Sequence, residues 1–167
     1  VDEKADKEGG ELKVVMVVSE GLEQKRNVAW RTFLTAHAVA IEKIERDLAE
    51  AEVLPLSWYD VLLALYEAPD HKLRMHELAG AILVTRGGLT RLVARIEKAG
   101  LLSREPDPAD GRGLHAVLTG EGLESLRSTW PVYAGGIAEH FGRHLTDEEV
   151  EVLDRALRRM LAAAREG

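Results

Sequence analysis

Two short segments with helical apolar periodicity, 74–83 and 86–99, are separated only by Val84-Thr85, and this spacing constrains the fold more than any other feature. Two helices so short and joined so tightly form a helix-turn-helix. The first carries Met75, Leu78, Ala79 and Ile82 inward. In the second, Leu89, Leu92, Val93 and Ile96 fall at i, i+3, i+4 and i+7, one stripe of a 3.6-residue helix. Thr85 is placed to cap this second helix and Gly100 to end it in a left-handed turn. Its opposite face holds Arg86, Gly87, Thr90, Arg91, Ala94, Arg95 and Lys98.

The segment after Gly100 reads as a wing. Leu101 to Glu105 and Leu114 to Leu118 are short strand-like runs, and Pro106 to Gly113 between them holds the Pro, Asp and Gly of turn chemistry. Thr119 then caps a helix to about Arg143, weakened by Gly120, Gly122 and Gly135-Gly136 and bent at Pro131. Thr146 with Glu149 makes a capping box that opens a last helix, 147–165, with Val150, Leu153, Leu157 and Leu161 on one stripe. Upstream, Gln24 to Glu52 reads as one long helix with Val28, Phe33, His37 or Ala38, Ile41, Ile44 and Leu48 as its stripe. Pro55 ends that helix, and Ser57 is placed to cap a second one over Trp58 to Glu67. Residues 1–21 fit none of this. They read as a charged arm in which Leu12 to Val18 is strand-like without a partner. The expected divisions are 1–21, 22–56, 57–119 and 120–167.

Composition narrows the function classes. The chain of 167 residues is 46% hydrophobic and 31% charged, an ordinary globular mix, and it has no cysteine, which excludes disulfides, thiolate nucleophiles and zinc ribbons. The longest apolar run, Val14 to Val18, is far below the roughly 18 residues of a membrane span. A cytoplasmic location and no membrane partner are expected. Net charge is −7, yet 72–119 carries eight basic and five acidic residues, so a +3 segment sits inside acidic flanks. Local field governs approach of a polyanion better than total charge does. No Gly-x-Ser-x-Gly, phosphate-binding loop or His-Glu-x-x-His occurs, so no enzyme and no cofactor are expected.

Thr85-Arg86-Gly87-Gly88-Leu89-Thr90-Arg91-Leu92-Val93, then Glu97 to Arg104, then Asp107-Pro108-Ala109-Asp110-Gly111-Arg112-Gly113, then Leu118-Thr119 with Gly122 resemble the multiple-antibiotic-resistance regulator (MarR) family in order and spacing. The resemblance spans about 26–165. One departure is Gly111, where family wings commonly carry a second basic residue beside the one matched by Arg112. The resemblance implies a mainly α fold with a winged helix-turn-helix DNA-binding lobe, a two-stranded β-wing, and a dimerisation lobe built from the N- and C-terminal helices. It implies a homodimer that binds a pseudo-palindromic double-stranded DNA operator, acts as a repressor in bacteria, and is released by a small aromatic or phenolic effector. Association with the nucleoid would come with that binding.

Carried onto this chain, the helix from Arg86 to Arg95 is similar to the one that enters the major groove, and Arg112 matches the wing arginine that reaches the adjacent minor groove. Arginine pairs bidentately with guanine, and Gly87 and Gly88 leave no side chain between backbone and DNA. Thr85 and Thr90 suit phosphates, which set register. Asp110 reads as a positioning residue, accepting from loop amides or pairing with a recognition-helix arginine. Apolar faces on Val28 to Leu48, Leu126 to Phe141 and Val150 to Leu161 would be exposed in a monomer, which argues for the dimer. The family pocket, lined by the first, second and fifth helices, points to Trp30, His37, Trp58, Tyr59 and Asp60, for which core packing is the competing reading. His140 and His144 have the i, i+4 spacing of a shared metal but lack a third ligand fixed by spacing, so surface histidines are expected there and no metal. Two alternatives stand beside the operator-binding reading: a winged-helix protein-interaction module, and a metal-responsive regulator using His140 and His144.

Overall fold

The computed structural model describes residues 24–82, 86–107 and 110–165. The amino-terminal arm, Thr85 and the centre of the wing turn lie outside them. Six helices and three strands run in the order α1 (Gln24–Glu50), α2 (Leu56–Glu67), β1 (Lys72–Arg74), α3 (Met75–Ala81), α4 (Arg86–Lys98), β2 (Leu102–Asp107), β3 (Asp110–Leu118), α5 (Gly120–His140) and α6 (Asp147–Arg165) among the described residues. None of these helices is long and apolar enough to cross a membrane.

The chain divides after Ala36 into two units. In the first, the described residues are the amino-terminal half of α1, where Val28, Trp30, Phe33 and Leu34 are all exposed. Trp30 and Phe33 stand with ring centroids 6.1 Å apart.

The second unit, from His37 onward, holds the core. Val61, Leu62 and Leu65 of α2 pack with Leu78 of α3, Leu89, Val93 and Ile96 of α4, Leu102 and Ala116 of the sheet and Leu126 of α5. A smaller cluster joins Ile44 and Leu48 to Leu56, with Val132 and Ile137 of α5 against it. The apolar stripes of α2 and α4 therefore face inward as their periodicity requires. Thr129 is fully buried on α5; its hydroxyl donates to the Ser125 carbonyl at 2.8 Å and accepts from the Leu54 amide at 3.3 Å. A buried hydroxyl satisfied on both sides ties α5 to the segment before α2.

Several boundaries differ from the sequence expectation. The long first helix ends at Glu50, with Val53 and Glu52 amides returning to the Leu48 and Ala49 carbonyls and Glu52 at φ 54°. This is a Schellman ending with a non-glycine residue in the left-handed position. Ser57 is not a cap: α2 starts at Leu56, two residues before the expected Trp58, and the Pro55 carbonyl takes the Trp58 and Tyr59 amides at 2.9 and 3.0 Å. The helix expected to reach Arg143 stops at His140, and a 3-10 turn, Gly142–His144, comes after it. Thr119 caps α5 as expected, accepting from the Gly122 amide at 3.0 Å. Thr146 and Glu149 form both bonds of their capping box.

The wing hairpin is also longer than expected. β2 runs through Pro106 to Asp107 and β3 begins at Asp110, so the run read as an eight-residue turn is mostly strand. A third strand, short enough to escape any alternation pattern, completes an antiparallel sheet of order β1-β3-β2. Its register sets Lys72 opposite Val117, Leu73 opposite Ala116 and Arg74 opposite His115.

Candidate nucleic-acid interface

α4 is held from three sides. Leu89, Val93 and Ile96 are almost fully buried, and Leu92 is half-buried. At its end the Leu101 amide returns to the Ile96 carbonyl at 3.2 Å and the Gly100 amide to Glu97 at 2.8 Å, with Gly100 at φ 79°. Glycine carries that left-handed angle without a Cβ clash. Glu97 then accepts from the Arg104 backbone amide at 3.2 Å and from its Nε at 2.8 Å, locking α4 to β2. Those bonds hold the Glu97 carboxyl below its usual value, the side-chain bond from Arg104 contributing most.

The other face of α4 is outward. Thr90, Arg91, Ala94, Arg95 and Lys98 are exposed, and Gly88 is half-buried. Arg95 is not purely solvated, since its guanidinium carbon lies 5.8 Å from the centroid of the Trp58 ring. A cation over an indole face is attracted by the ring quadrupole and has fewer rotamers left to lose on binding. Of the other residues singled out from the sequence, Thr85 lies outside the described residues. Arg86, Gly87, Asp110, Gly111 and Arg112 lie within α4 and β3 with side chains outside the described set.

The structure adds an ion pair that sequence reasoning missed. Asp107, at the end of β2, is 4% exposed, and Arg74 Nη2 lies 2.7 Å from its Oδ2. Arg74 immediately precedes α3, and its backbone amide donates to Glu77 Oε2 at 2.8 Å. A guanidinium thus joins the turn end of the wing hairpin to the start of the helix-turn-helix. The only signal in the sequence was an aspartate opening the turn and an arginine just before a helix; the β1–β3 pairing is what brings them together.

The residues expected to line one ligand pocket separate. Tyr59 is buried, edge-on to Tyr133 with ring centroids 5.0 Å apart, and opens onto a cavity of about 430 Å³ between α2 and α5. That cavity is walled by Leu63, Tyr66, Leu126 and Trp130, with Glu67 and Arg127 at its polar positions. Trp58, one residue earlier, lines a different cavity of about 320 Å³ with Leu54, Pro55 and Ser128. Adjacent helical residues point about 100° apart, so the split is a matter of geometry. Burial, and next Glu45, push the Asp60 carboxyl up; burial, and next Tyr133, push the Tyr59 phenol up. His37 is exposed on α1, and Trp30 belongs to the amino-terminal unit.

His140 is not a surface histidine. Its Nε2 meets Asp47 Oδ2 at 2.7 Å in a part-buried contact between α5 and α1. His144 is exposed, in the 3-10 turn beyond α5. Among the described residues no group of three or more His, Cys, Asp and Glu side chains is placed to hold a metal.

Comparison with known proteins agrees with this architecture. A model of the MarR family matches residues 54–113, from the start of α2 to the wing. The helix-turn-helix transcriptional regulator YkoM of Bacillus subtilis is 31% identical over 134 residues, which cover 80% of this chain and 84% of YkoM. The crystal structure of AbsC, a MarR family transcriptional regulator from Streptomyces coelicolor, superposes with a TM-score of 0.78 at 33% identity, over 87% of this chain and 98% of AbsC. Sco3205, a MarR family transcriptional regulator of the same organism solved in complex with DNA, gives a TM-score of 0.78 at 34% identity, over 85% of this chain and 89% of its own. With the winged helix-turn-helix built around α3, α4 and the sheet, these matches establish that the chain belongs to the MarR family of transcriptional regulators.

Proposed function

We propose that the chain is a homodimeric repressor that binds a pseudo-palindromic DNA operator and is released by a small aromatic or phenolic ligand. The observation that carries the reading is the two-sided character of α4: Leu89, Val93 and Ile96 anchor it while Thr90, Arg91 and Arg95 stand outward. An α-helix so presented fits the major groove, where Arg91 and Arg95 reach base edges and Thr90 a phosphate. Thr85, Arg86, Gly87 and Gly88 supply the close-approaching end of that helix, Arg112 enters the adjacent minor groove, and Asp110 steadies the wing. DNA complexed with Sco3205 supports the same assignment here.

Dimerisation is supported by exposed apolar side chains on the terminal helices: Val28, Trp30 and Leu34 on α1, and Val152, Met160 and Leu161 on α6. A second copy covering them would set the two recognition helices about one helical turn of DNA apart, roughly 34–36 Å. The effector site is the α2–α5 cavity, whose aromatic walls suit a ring and whose Arg127 suits a carboxylate. Release is a population shift, and the ligand weakens DNA binding only by as much as it prefers a dimer with altered helix spacing.

Selection of duplexes from a random-sequence pool by the purified chain tests the reading. A two-fold motif that outcompetes unrelated duplexes of equal length is expected, with loss of binding on titration of one of a panel of phenolic acids. Equal affinity for every duplex would return the protein-interaction reading.

A further inference from the structure

A carboxylate as deeply buried as that of Asp107 is costly unless paired, and replacing such a pair with apolar residues is often neutral or stabilising. The Arg74–Asp107 pair therefore invites a role beyond folding. Its two halves are unequal: the Asp107 side chain is 3% exposed, while that of Arg74 is 41% exposed. A guanidinium carries five N–H donors in a rigid fork. Nη2 meets Asp107 Oδ2 as an ion pair at 2.7 Å, and much of the Arg74 side chain is open to solvent.

The position of Arg74 decides what those donors meet. On β1 it stands opposite His115, which lies three positions after the wing residue Arg112 on β3. The next residues along the chain, Met75 and His76, line a cleft of about 210 Å³ with Leu89 and Thr90 of α4. Arg74 thus sits on the strand paired with the wing, next in sequence to residues that share a cleft with the recognition helix. Between a major groove filled by that helix and a minor groove reached by the wing runs sugar-phosphate backbone. Lys72 is exposed on the same face of β1, two residues away, and adds a second positive charge there.

We infer that Arg74 contacts a DNA phosphate and that buried Asp107 is the positioning residue that aims it. The inference rests on the operator-binding reading and adds to it a residue pair outside the recognition helix and the wing turn. A guanidinium already held by an ion pair loses less rotamer entropy when it meets a phosphate than a free side chain does. Asp107 itself touches no DNA.

The test uses the whole chain with two probes: a duplex selected by the unsubstituted protein from a random pool, and an unrelated duplex of equal length. Preference of the unsubstituted chain for the selected duplex establishes the underlying reading; absence of preference overturns both. With preference present, Arg74→Ala is expected to weaken binding to both probes about tenfold, the worth of one charge-assisted hydrogen bond. It is also expected to reduce the slope of log affinity against log salt by about 0.9 per bound copy. Arg74→Lys should keep the slope while losing part of the affinity. Asp107→Asn gives a sign test. Removing an anion near DNA tightens binding by charge alone, so weaker binding by this variant marks lost aim. The Arg74→Ala/Asp107→Asn double variant should be no weaker than Arg74→Ala, since both act through one contact. An unchanged salt slope in Arg74→Ala overturns the phosphate contact. Tighter binding by Asp107→Asn overturns the aiming. Should Asp107→Asn melt below the assay temperature, the comparison of Arg74→Lys with Arg74→Ala still decides the contact.

Discussion

Replacing Gly122 by alanine is expected to destabilise the fold through a backbone collision at the base of the wing. A Cβ at position 122 would stand 2.0 Å from the Leu101 carbonyl oxygen and 2.9 Å from Leu118 Cδ1. Restoring an ordinary 3.4 Å contact with that oxygen requires a shift of roughly 1.4 Å in groups that are themselves tied down. The Leu101 carbonyl accepts from the Thr119 amide, and the Thr119 hydroxyl donates to the Gly100 carbonyl at 2.7 Å while accepting from Gly122. Overpacking costs about 1–3 kcal/mol, here at the upper end because the obstacle is backbone, and a lost hydrogen bond adds about 1 kcal/mol. Better helix propensity returns at most about 1 kcal/mol. The net loss is roughly 3 kcal/mol, which at this chain length lowers the melting temperature by roughly 6–12 °C. Gly135→Ala is the control, since nothing lies within 4 Å of its new Cβ. That variant should gain a few tenths to about 1 kcal/mol. Thermal unfolding followed by circular dichroism measures both, and equal melting of the two variants would refute the collision.

Three further outcomes are expected. Arg91→Ala, at an exposed position of α4, should weaken binding to a selected duplex by about 1–3 kcal/mol and relax base preference; unaltered competition between duplexes excludes it as a base reader. Glu97 has its carboxyl pKa depressed by Arg104, so its contribution is present above the ordinary value of 4.5 and is lost as pH falls through the lower folded value. Glu97→Gln should therefore unfold more easily than the parent at neutral pH and converge with it in acid, and a gap that widens in acid contradicts that sign. Leu161→Glu, at a side chain 60% exposed on α6, should shift the chain toward monomer in light scattering at micromolar concentration. A mass unchanged from the parent's would place the interface elsewhere.

Much of the site was legible because helical periodicity and capping are local. Leu89, Val93 and Ile96 are buried as their spacing requires, Gly100 ends α4 in the left-handed region, and Thr119 and Thr146 cap as read. Local chemistry was less reliable where two signals competed. Pro106 and Asp107 carry turn propensity, yet pairing with β3 draws both into β2, with the irregularity placed between them. Ser57 is a good capping residue, but Pro55 presents its carbonyl first. β1 has three residues, too few for alternation to register.

The sequence by itself determined the order of the helices and of the two wing strands, the inward stripe and outward cations of α4, and the family, because each depends on residues within a few turns of one another. Only the tertiary structure decided which distant side chains meet. It joined Arg74 to Asp107 across the sheet, His140 to Asp47 between two helices, and Arg95 to the ring of Trp58. It also turned Trp58 and Tyr59 toward different cavities. The physical reason is that periodicity records which face of an element is apolar, whereas partners across the core depend on strand register and helix packing, which no single segment encodes.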